Sequence, residues 1–253
     1  MNDLKQKIYD EKSYGTPIPA IPIITSIAGE VVLSEYSSVI TKQKFISKVY
    51  TILWFQILFT GIFIGLSSQL PVIQQFLLSN TGYMLAFIDM VLLCVFYSNN
   101  NIIKNHSMKF LNFFTLLMTY IIGYVGIIYS PTTLLLGGVS TLTMFSGLTL
   151  YAVQTTYDYT QHTSILISSL LGLICFGFFM TFFHIPYLSI IYSSLGAVLF
   201  SFYIIYDTQL IVDGKHRTLS FTENDYVIAA ISLYTDILNL FLFILQIIGG
   251  NRS

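Results

Sequence analysis

Two carboxylates within long apolar segments are the residues of this chain with the clearest chemical potential. Asp207 lies in SFYIIYDTQLIV, and Asp236 lies in YVIAAISLYTDILNLFLFILQIIGG. A bare carboxylate in hydrocarbon costs several kcal/mol or more, so such residues usually face a bundle interior or a wet cavity. Together with Asp89, they are the only formal charges that we place inside apolar spans. Their positions predict a functional site.

A close pair of buried carboxyl groups has a distinct chemistry. The two groups cannot both ionise cheaply, so they share one proton. Such a pair is a proton switch, and its deprotonated form offers the hard oxygen ligands that suit Ca²⁺. Two separately satisfied carboxylates, each hydrogen-bonded to hydroxyl groups or water, are the structural alternative. The residues alone leave both interpretations open.

Polar side chains near the two aspartates favour an inward orientation. Ser232, Asp236 and Asn239 stand at i, i+4 and i+7, on one face of an otherwise apolar helix. The supporting polar residues that we predict are Tyr206, Gln209, Ser232, Tyr234 and Asn239. Asp89 is a candidate for a further acid in the same pathway. Two other interpretations of Asp89 are open. Its carboxylate pairs with Lys104, or the boundaries of the second span are wrongly drawn.

The elements that must position these residues are membrane spans. Only 9% of the 253 residues are charged and 55% are apolar, whereas about 25% of an ordinary soluble domain is charged. The composition predicts an all-α polytopic membrane protein, a bundle of seven transmembrane helices with the lipid bilayer as its partner. A net charge of −1 without a basic cluster argues against a nucleic-acid partner.

Seven segments reach or approach the roughly 20 residues that a transmembrane helix needs. The predicted spans are 49–69, 82–98, 110–129, 133–153, 163–183, 187–212 and 226–248. At about 1.5 Å per residue, Asp207 lies about 8 Å from the end of the sixth span and Asp236 about 15 Å into the seventh. These depths differ by about one helical turn. The two carboxyl groups can therefore approach each other in an antiparallel pair of helices.

The remaining segments define the domain organisation and the orientation. We predict a cytosolic, flexible tail over residues 1–46, a transmembrane domain over residues 47–250, and a short C-terminal end over residues 251–253. Ten of the 11 Lys and Arg residues fall on the side of the tail. The positive-inside rule therefore predicts a cytosolic N-terminus and a lumenal C-terminus.

Two further features predict local contacts. Small residues at helical spacing favour close helix packing, either within the bundle or at a dimer face. They are Gly61 with Gly65, Ser168 with Gly172, and Gly123 with Gly126. Asp158, which follows the fourth span, is predicted to cap the start of the fifth.

Several motifs resemble one family, the transmembrane Bax inhibitor motif family, and within it the Lifeguard and Golgi anti-apoptotic branch. They are Tyr206-Asp207-Thr208-Gln209-Leu210, Lys215-His216, Asp225-Tyr226, Leu233-Tyr234-Thr235-Asp236-Ile237 and Leu245-Gln246, with Lys48-Val49-Tyr50, Leu53, Gln56, Gln154-Thr155 and Asp158. The resemblance covers about residues 46–250. It implies a seven-helix bundle with a central, rather hydrophobic helix, and a pH-sensing dyad formed by Asp207 and Asp236.

The resemblance has two departures. Some family members carry a basic residue in the second span that latches onto the dyad, whereas this chain carries Asp89 there and no base. The basic residue that often follows the Gln-Thr pair is replaced by Thr156. The dyad is therefore expected, and the latch is not.

The function that the resemblance implies is a pH-regulated Ca²⁺ leak channel of an intracellular membrane, in the endoplasmic reticulum or Golgi, that lowers store Ca²⁺ and inhibits apoptosis. Ca²⁺ would be the permeant ion, held transiently by Asp207 and Asp236, with no resident cofactor. A non-conducting regulator that binds channels or apoptosis-regulating membrane proteins is the alternative. An intramembrane aspartyl protease is remote, because it needs Gly-x-Gly-Asp where this chain has Tyr234-Thr235-Asp236. We therefore expect no enzyme activity.

Overall fold

The computed structural model describes residues 22–98, 107–180, 182, 186–213 and 225–249. Within these ranges the chain is helical apart from short links, which confirms the predicted all-α class. The helices are α1 (Pro22–Gln69), α2 (Pro71–Leu77), α3 (Asn80–Ser98), α4 (Ser107–Gly123), α5 (Val125–Ile128), α6 (Pro131–Gln154), α7 (Thr163–Met180), α8 (Pro186–Asp213) and α9 (Tyr226–Gly249). A 3₁₀ turn, Tyr159–His162, precedes α7.

Proline residues mark two of the predicted helix boundaries. Leu70 is extended and Pro71 opens α2. Ser130 is also extended, its Oγ accepts a hydrogen bond from the Thr133 N–H at 3.3 Å, and Pro131 opens α6. Proline suits the first helical position because it has no N–H to leave unpaired, and it forces the preceding residue out of the helical region. Local stereochemistry therefore sets both turns.

Six helices in the described part of the chain are long and apolar enough to cross a membrane. They match the first and the third to seventh predicted spans, and they run over Lys42–Gln69, Met108–Ile128, Pro131–Gln154, Tyr159–Met180, Tyr187–Val212 and Tyr226–Gly249. The prediction of a polytopic membrane protein is confirmed. The second predicted span corresponds to α3, which is not one of the six.

Hydrogen bonds between α1 and α4 establish that these helices run in the same direction. Gln56 Nε2 donates to Thr115 Oγ1 at 2.7 Å, and the Thr60 and Thr119 hydroxyls are 2.9 Å apart. Both pairs are separated by 59 residues, so the contact advances along both helices together. Because α1 and α4 run in the same direction, the chain must cross back to the starting side of the bundle between these two helices. The 19 residues of α3 cover about 29 Å, close to the roughly 30 Å of a bilayer core, which supports a seventh crossing.

The last helix, α9, is the centre of the bundle. Its span is 61% buried, against 6–44% for the other five candidate spans. α8 makes the most extensive contact with α9, and α6 packs against both of them. α4 also packs on α9, and α7 lies against α8. The central, hydrophobic helix that the family resemblance implies is therefore present, and it is the one that carries Asp236.

The N-terminal region differs from the sequence prediction. We predicted a flexible tail through residue 46, but α1 begins at Pro22. Proline at the first helical position needs no hydrogen-bond partner for its nitrogen. Residues 1–21 and the C-terminal end 251–253 lie outside the described residues. The chain divides into two units, Met1–Gln43 and Lys44–Ser253, and the contacts analysed below all lie within the second unit.

Close helix packing occurs at Gly123 and Gly126, as predicted. A methyl group added at Gly126 would lie 2.6 Å from the backbone oxygen of Ile64 on α1 and would overlap the Ser67 hydroxyl. That hydroxyl donates to the Gly123 carbonyl at 2.9 Å. A larger side chain at this point would therefore separate α1 from the end of the third span.

Packing within the bundle is not found at the glycines of the other two pairs, and a dimer face stays a prediction there. A methyl group added at Gly61, Gly65 or Gly172 would meet nothing within 4 Å. Helical spacing places small residues on one face, but it does not say whether another helix lies opposite that face. At these three glycines no described atom would contact an added methyl group.

The Gly126 contact leads to a first prediction. Gly126→Ala should lower the stability of the bundle by about 1–3 kcal/mol, because the added methyl group overpacks a contact that includes rigid backbone. Gly172→Ala is the matched control, since it adds the same group in open space. Thermal unfolding in detergent measures both. Equal midpoints for the two variants would contradict the close contact.

Candidate functional site

The two intramembrane aspartates lie together between α8 and α9. Asp207 and Asp236 are each only 6% exposed, and their carboxyl groups are within hydrogen-bonding distance of each other. Two carboxylates have no hydrogen to donate, so a hydrogen bond between them requires a proton on one of the two groups. The structure therefore brings the two predicted dyad residues together, and the shared proton stays a prediction.

One hydroxyl group supports the pair from the same face of α9. Ser232 Oγ donates to Asp207 Oδ2 at 2.5 Å, and Ser232 precedes Asp236 by four residues, about one helical turn. Asp236 Oδ2 is buried and has no hydrogen-bond partner among the described residues. The pair therefore keeps one free acceptor oxygen, which is available to a proton or a cation.

Gln209 fixes the link between α6 and α7. Its Nε2 donates to the Tyr157 carbonyl at 2.8 Å and to the Ala152 carbonyl at 3.4 Å, and its Oε1 accepts from the Tyr159 N–H at 2.8 Å. The side chain is 3% exposed. Gln209 lies two residues beyond Asp207 on α8. The helix that carries one dyad aspartate is therefore joined directly to the link that closes this end of the bundle.

Asp158 organises the same link, as predicted. Its Oδ1 accepts from the Thr160 N–H at 3.0 Å and from the Thr160 hydroxyl at 2.6 Å. Asp158 is the N-cap of the 3₁₀ turn that leads into α7. A capping carboxylate satisfies backbone N–H groups that the start of a helix leaves unpaired.

Four of the five predicted supporting residues, Gln209 among them, make their hydrogen bonds within the described chain to groups other than the dyad. The Tyr234 hydroxyl pairs with Thr60 Oγ1 at 2.7 Å, and the Tyr206 hydroxyl pairs with Thr163 Oγ1 at 3.0 Å. Successive helical residues are about 100° apart, so neighbours one or two positions from an aspartate face other helices. Asn239 shares the face of Asp236, but its Nδ2 donates to the Thr235 carbonyl of its own helix at 2.9 Å.

Comparison with known proteins supports the resemblance noted in the sequence. Residues 42–253 match the family described as "Inhibitor of apoptosis-promoting Bax1". The chain belongs to this family. It is 33% identical to mouse Protein lifeguard 4, over 83% of this chain and 86% of that protein. It is 26% identical to human and 25% identical to mouse Protein lifeguard 3, over 83% of this chain and 70% of each relative. The assignment to the Lifeguard branch is confirmed.

Asp89 lies apart from the dyad of this Bax1-inhibitor family member. It is half-buried on α3, and α3 packs mainly against α2 and α4 rather than α8 or α9. Its carboxyl group interacts electrostatically with Tyr120 of α4, whose hydroxyl donates to the Gly82 carbonyl at 2.9 Å. Lys104, the predicted partner, lies outside the described residues.

The dyad by itself provides few metal ligands. Across the described ranges, no three His, Cys, Asp or Glu side chains are grouped so that they could hold a metal ion. Ca²⁺ takes about six to eight oxygen ligands, so two aspartates would need further oxygens from hydroxyl groups, carbonyls or water. Transient binding of Ca²⁺ by Asp207 and Asp236 stays a prediction.

Two groups of buried hydroxyls were not identified from the sequence. Thr60 bridges Gln56, Thr119 and Tyr234, which joins α1, α4 and α9. Tyr50 faces Thr149 of α6 and Thr208 of α8, but none of these three hydroxyls has regular hydrogen-bond geometry within the described chain. The sequence did carry a signal for the first group, because the polar residues Gln56, Thr60 and Ser67 recur at helical spacing on one face of α1.

The contact between Ser232 and the dyad can be tested by removing one hydroxyl group. Ser232→Ala should lower stability by about 1–3 kcal/mol, because Asp207 Oδ2 loses its donor in a buried environment. Ser168→Ala is the control, since the Ser168 hydroxyl is exposed and bonds only to its own helix. Chemical unfolding in detergent compares the two variants. A similar loss in both would argue against a role of Ser232 in the pair.

The Gln209 clamp leads to a prediction about the link. Gln209→Leu should accelerate hydrogen exchange at the Tyr159 amide, because that N–H loses its acceptor, and should cost about 1–3 kcal/mol of stability. Gln161→Leu makes the same change on the exposed side of the link, where Gln161 only reaches Asp158 Oδ2 at 3.2 Å. Unchanged exchange at Tyr159 in Gln209→Leu would contradict the clamp.

Proposed function

We propose that this chain is a pH-regulated Ca²⁺ leak channel of an intracellular membrane and that it inhibits apoptosis by lowering store Ca²⁺. The observation that carries the proposal is the buried Asp207–Asp236 pair at the contact between α8 and α9. A carboxyl pair of this kind is expensive to keep inside a membrane bundle, which favours a role in moving protons or ions. Membership of the family described as inhibitors of apoptosis-promoting Bax1 supports the cellular role.

The shared proton is the proposed gate. When it leaves, two negative charges face each other, and at about 4 Å their repulsion is roughly 4 kcal/mol for an effective dielectric constant near 20. The repulsion favours separation of α8 from α9 and entry of a compensating cation. We therefore expect the Ca²⁺ leak to rise with pH. With the proton in place, the two helices stay joined.

The proposed site is the endoplasmic reticulum or Golgi, with the N-terminus cytosolic and the C-terminus lumenal. The distribution of Lys and Arg supports this orientation. At the same end of the bundle, Lys48 Nζ lies 3.4 Å from the centroid of the Tyr226 ring. A cation over an aromatic ring is stabilised by the ring quadrupole, so this contact helps to anchor the charged end of α1 beside the start of α9.

Ca²⁺ efflux from proteoliposomes tests the proposal. The wild-type chain should release Ca²⁺ faster as pH rises, whereas Asp207→Asn and Asp236→Asn should lose most of this pH dependence, because an amide cannot take part in the carboxyl titration. Asp225→Asn is the matched control at the start of α9 and should retain the wild-type profile. Asp89→Asn separately tests whether that residue lines the pathway.

Two outcomes would contradict the proposal. The first is a leak no greater than that of protein-free liposomes. The second is a leak with the same pH profile in the wild type and both dyad variants, which would separate conduction from the pair. The first outcome, together with retained protection of cells from apoptosis, would instead favour the non-conducting regulator.

A further inference from the structure

A deep groove lies on the outside of the bundle between α1 and α6. Its volume is about 580 Å³, and its floor is formed by Ile237, Leu238 and Phe241 of α9. Ile237 and Leu238 directly follow Asp236 in the chain, and Phe241 is five residues beyond it. The volume falls within the roughly 300–1,000 Å³ that is typical of small-molecule sites in proteins. The groove is therefore large enough for a ligand rather than a packing defect.

Glycine residues create the groove. Gly61 and Gly65 of α1 and Gly138 of α6 line it, and a methyl group added at any of them would meet nothing within 4 Å. The adjacent Gly137 behaves differently, because a methyl group there would overlap the Leu245 side chain of α9. α6 thus uses one glycine to pack on the central helix and the next one to leave space beside it.

The described walls offer water little hydrogen-bonding capacity around Thr60 and Thr141, where the Thr141 oxygen can still accept a hydrogen bond. Thr60 and Thr141 are the polar residues there. The Thr60 hydroxyl is engaged with Gln56, Thr119 and Tyr234, and the Thr141 hydroxyl donates to the Gly137 carbonyl at 2.7 Å. A buried water normally makes about three hydrogen bonds. An apolar occupant therefore fits this part of the groove better than water.

The length and polarity of the groove match one leaflet of a bilayer. On α1 it runs from Ile57 to Gln69, about 18 Å at the helical rise. Half of a hydrocarbon core of about 30 Å is about 15 Å. Ser68 and Gln69 lie at the outer end, where the bilayer becomes polar. The groove thus has an apolar section of leaflet depth and a polar mouth.

We propose that this groove is a binding site for a single acyl chain of a bilayer lipid, whose polar head lies near Ser68 and Gln69. The hydrocarbon around the spans is the source of the ligand, because the walls belong to three membrane-crossing helices. The bound chain covers Ile237 and Leu238 of α9. This inference concerns a different surface from the dyad and does not depend on Ca²⁺ conduction.

Photolabelling with lipid identifies the occupant. The full chain is reconstituted in vesicles of phosphatidylcholine that carries a diazirine near the end of one acyl chain, then irradiated, digested and mapped. Leu238 and Phe241 are only 7% and 9% exposed, and they line the groove, so adducts on them report entry into it. We expect these adducts to exceed those on Ile174 and Phe178, which are 57% and 62% exposed on α7.

Paired glycine substitutions provide the matched controls. Gly65→Leu with Gly138→Leu fills the groove and should abolish the adducts on Leu238 and Phe241. Gly147→Leu with Gly172→Leu also adds two leucines in open space, away from the groove, and should leave those adducts unchanged. Thermal unfolding verifies that both double variants fold. If the groove-filling variant does not fold, the adduct map of the wild-type protein still decides the question.

Other occupants give different results. Adducts distributed in proportion to exposure over all outward faces would show ordinary surrounding lipid only and would overturn the proposal. Chemically cross-linked dimers that disappear when the groove is filled would assign it to a second copy of the chain, with the same consequence. Adducts on the α9 floor that survive in the groove-filling variant would also exclude the site.

Discussion

A carboxyl group in hydrocarbon must be neutralised, hydrogen-bonded or hydrated, and the bundle is built around meeting this requirement for Asp207 and Asp236. The two residues belong to α8 and α9, the helix pair with the most extensive contact. Ser232 satisfies one oxygen of the pair, and Asp236 Oδ2 is left without a protein partner among the described residues. The pair is thus partly satisfied by the protein and keeps one buried acceptor oxygen that no described residue binds.

The rest of the bundle isolates this pair and connects it to the membrane surface. α9 is central because most of its surface is covered by α4, α6 and α8. α1 is held through hydroxyl and amide contacts from Gln56, Thr60 and Ser67, together with its close approach to Gly126. Gln209 joins α8, which carries Asp207, to the α6–α7 link by hydrogen bonds. A displacement of α8 would therefore be felt at that link.

Much of the fold followed from local rules. Hydropathy and the prolines at 71 and 131 located six spans and their ends closely, because the cost of unpaired backbone groups in lipid enforces helices of bilayer length. The approach of the two aspartates followed from their depths. The roles of Tyr206, Gln209, Tyr234 and Asn239 did not follow from the sequence, because a polar residue near a site in the chain faces whichever helix its angular position points to. The prediction of close packing within the bundle at Gly61 and Gly65 failed for the same reason.

The sequence by itself determined that the chain crosses a membrane as a helical bundle, that two acids lie at similar depth in it, and which family it belongs to. These conclusions depend on composition, length and short motifs, which are properties of the chain alone. The tertiary structure decided which polar groups meet, where Gln209 binds, and whether a glycine packs or leaves a groove. Those outcomes depend on which helix stands opposite, and no local pattern encodes that neighbour.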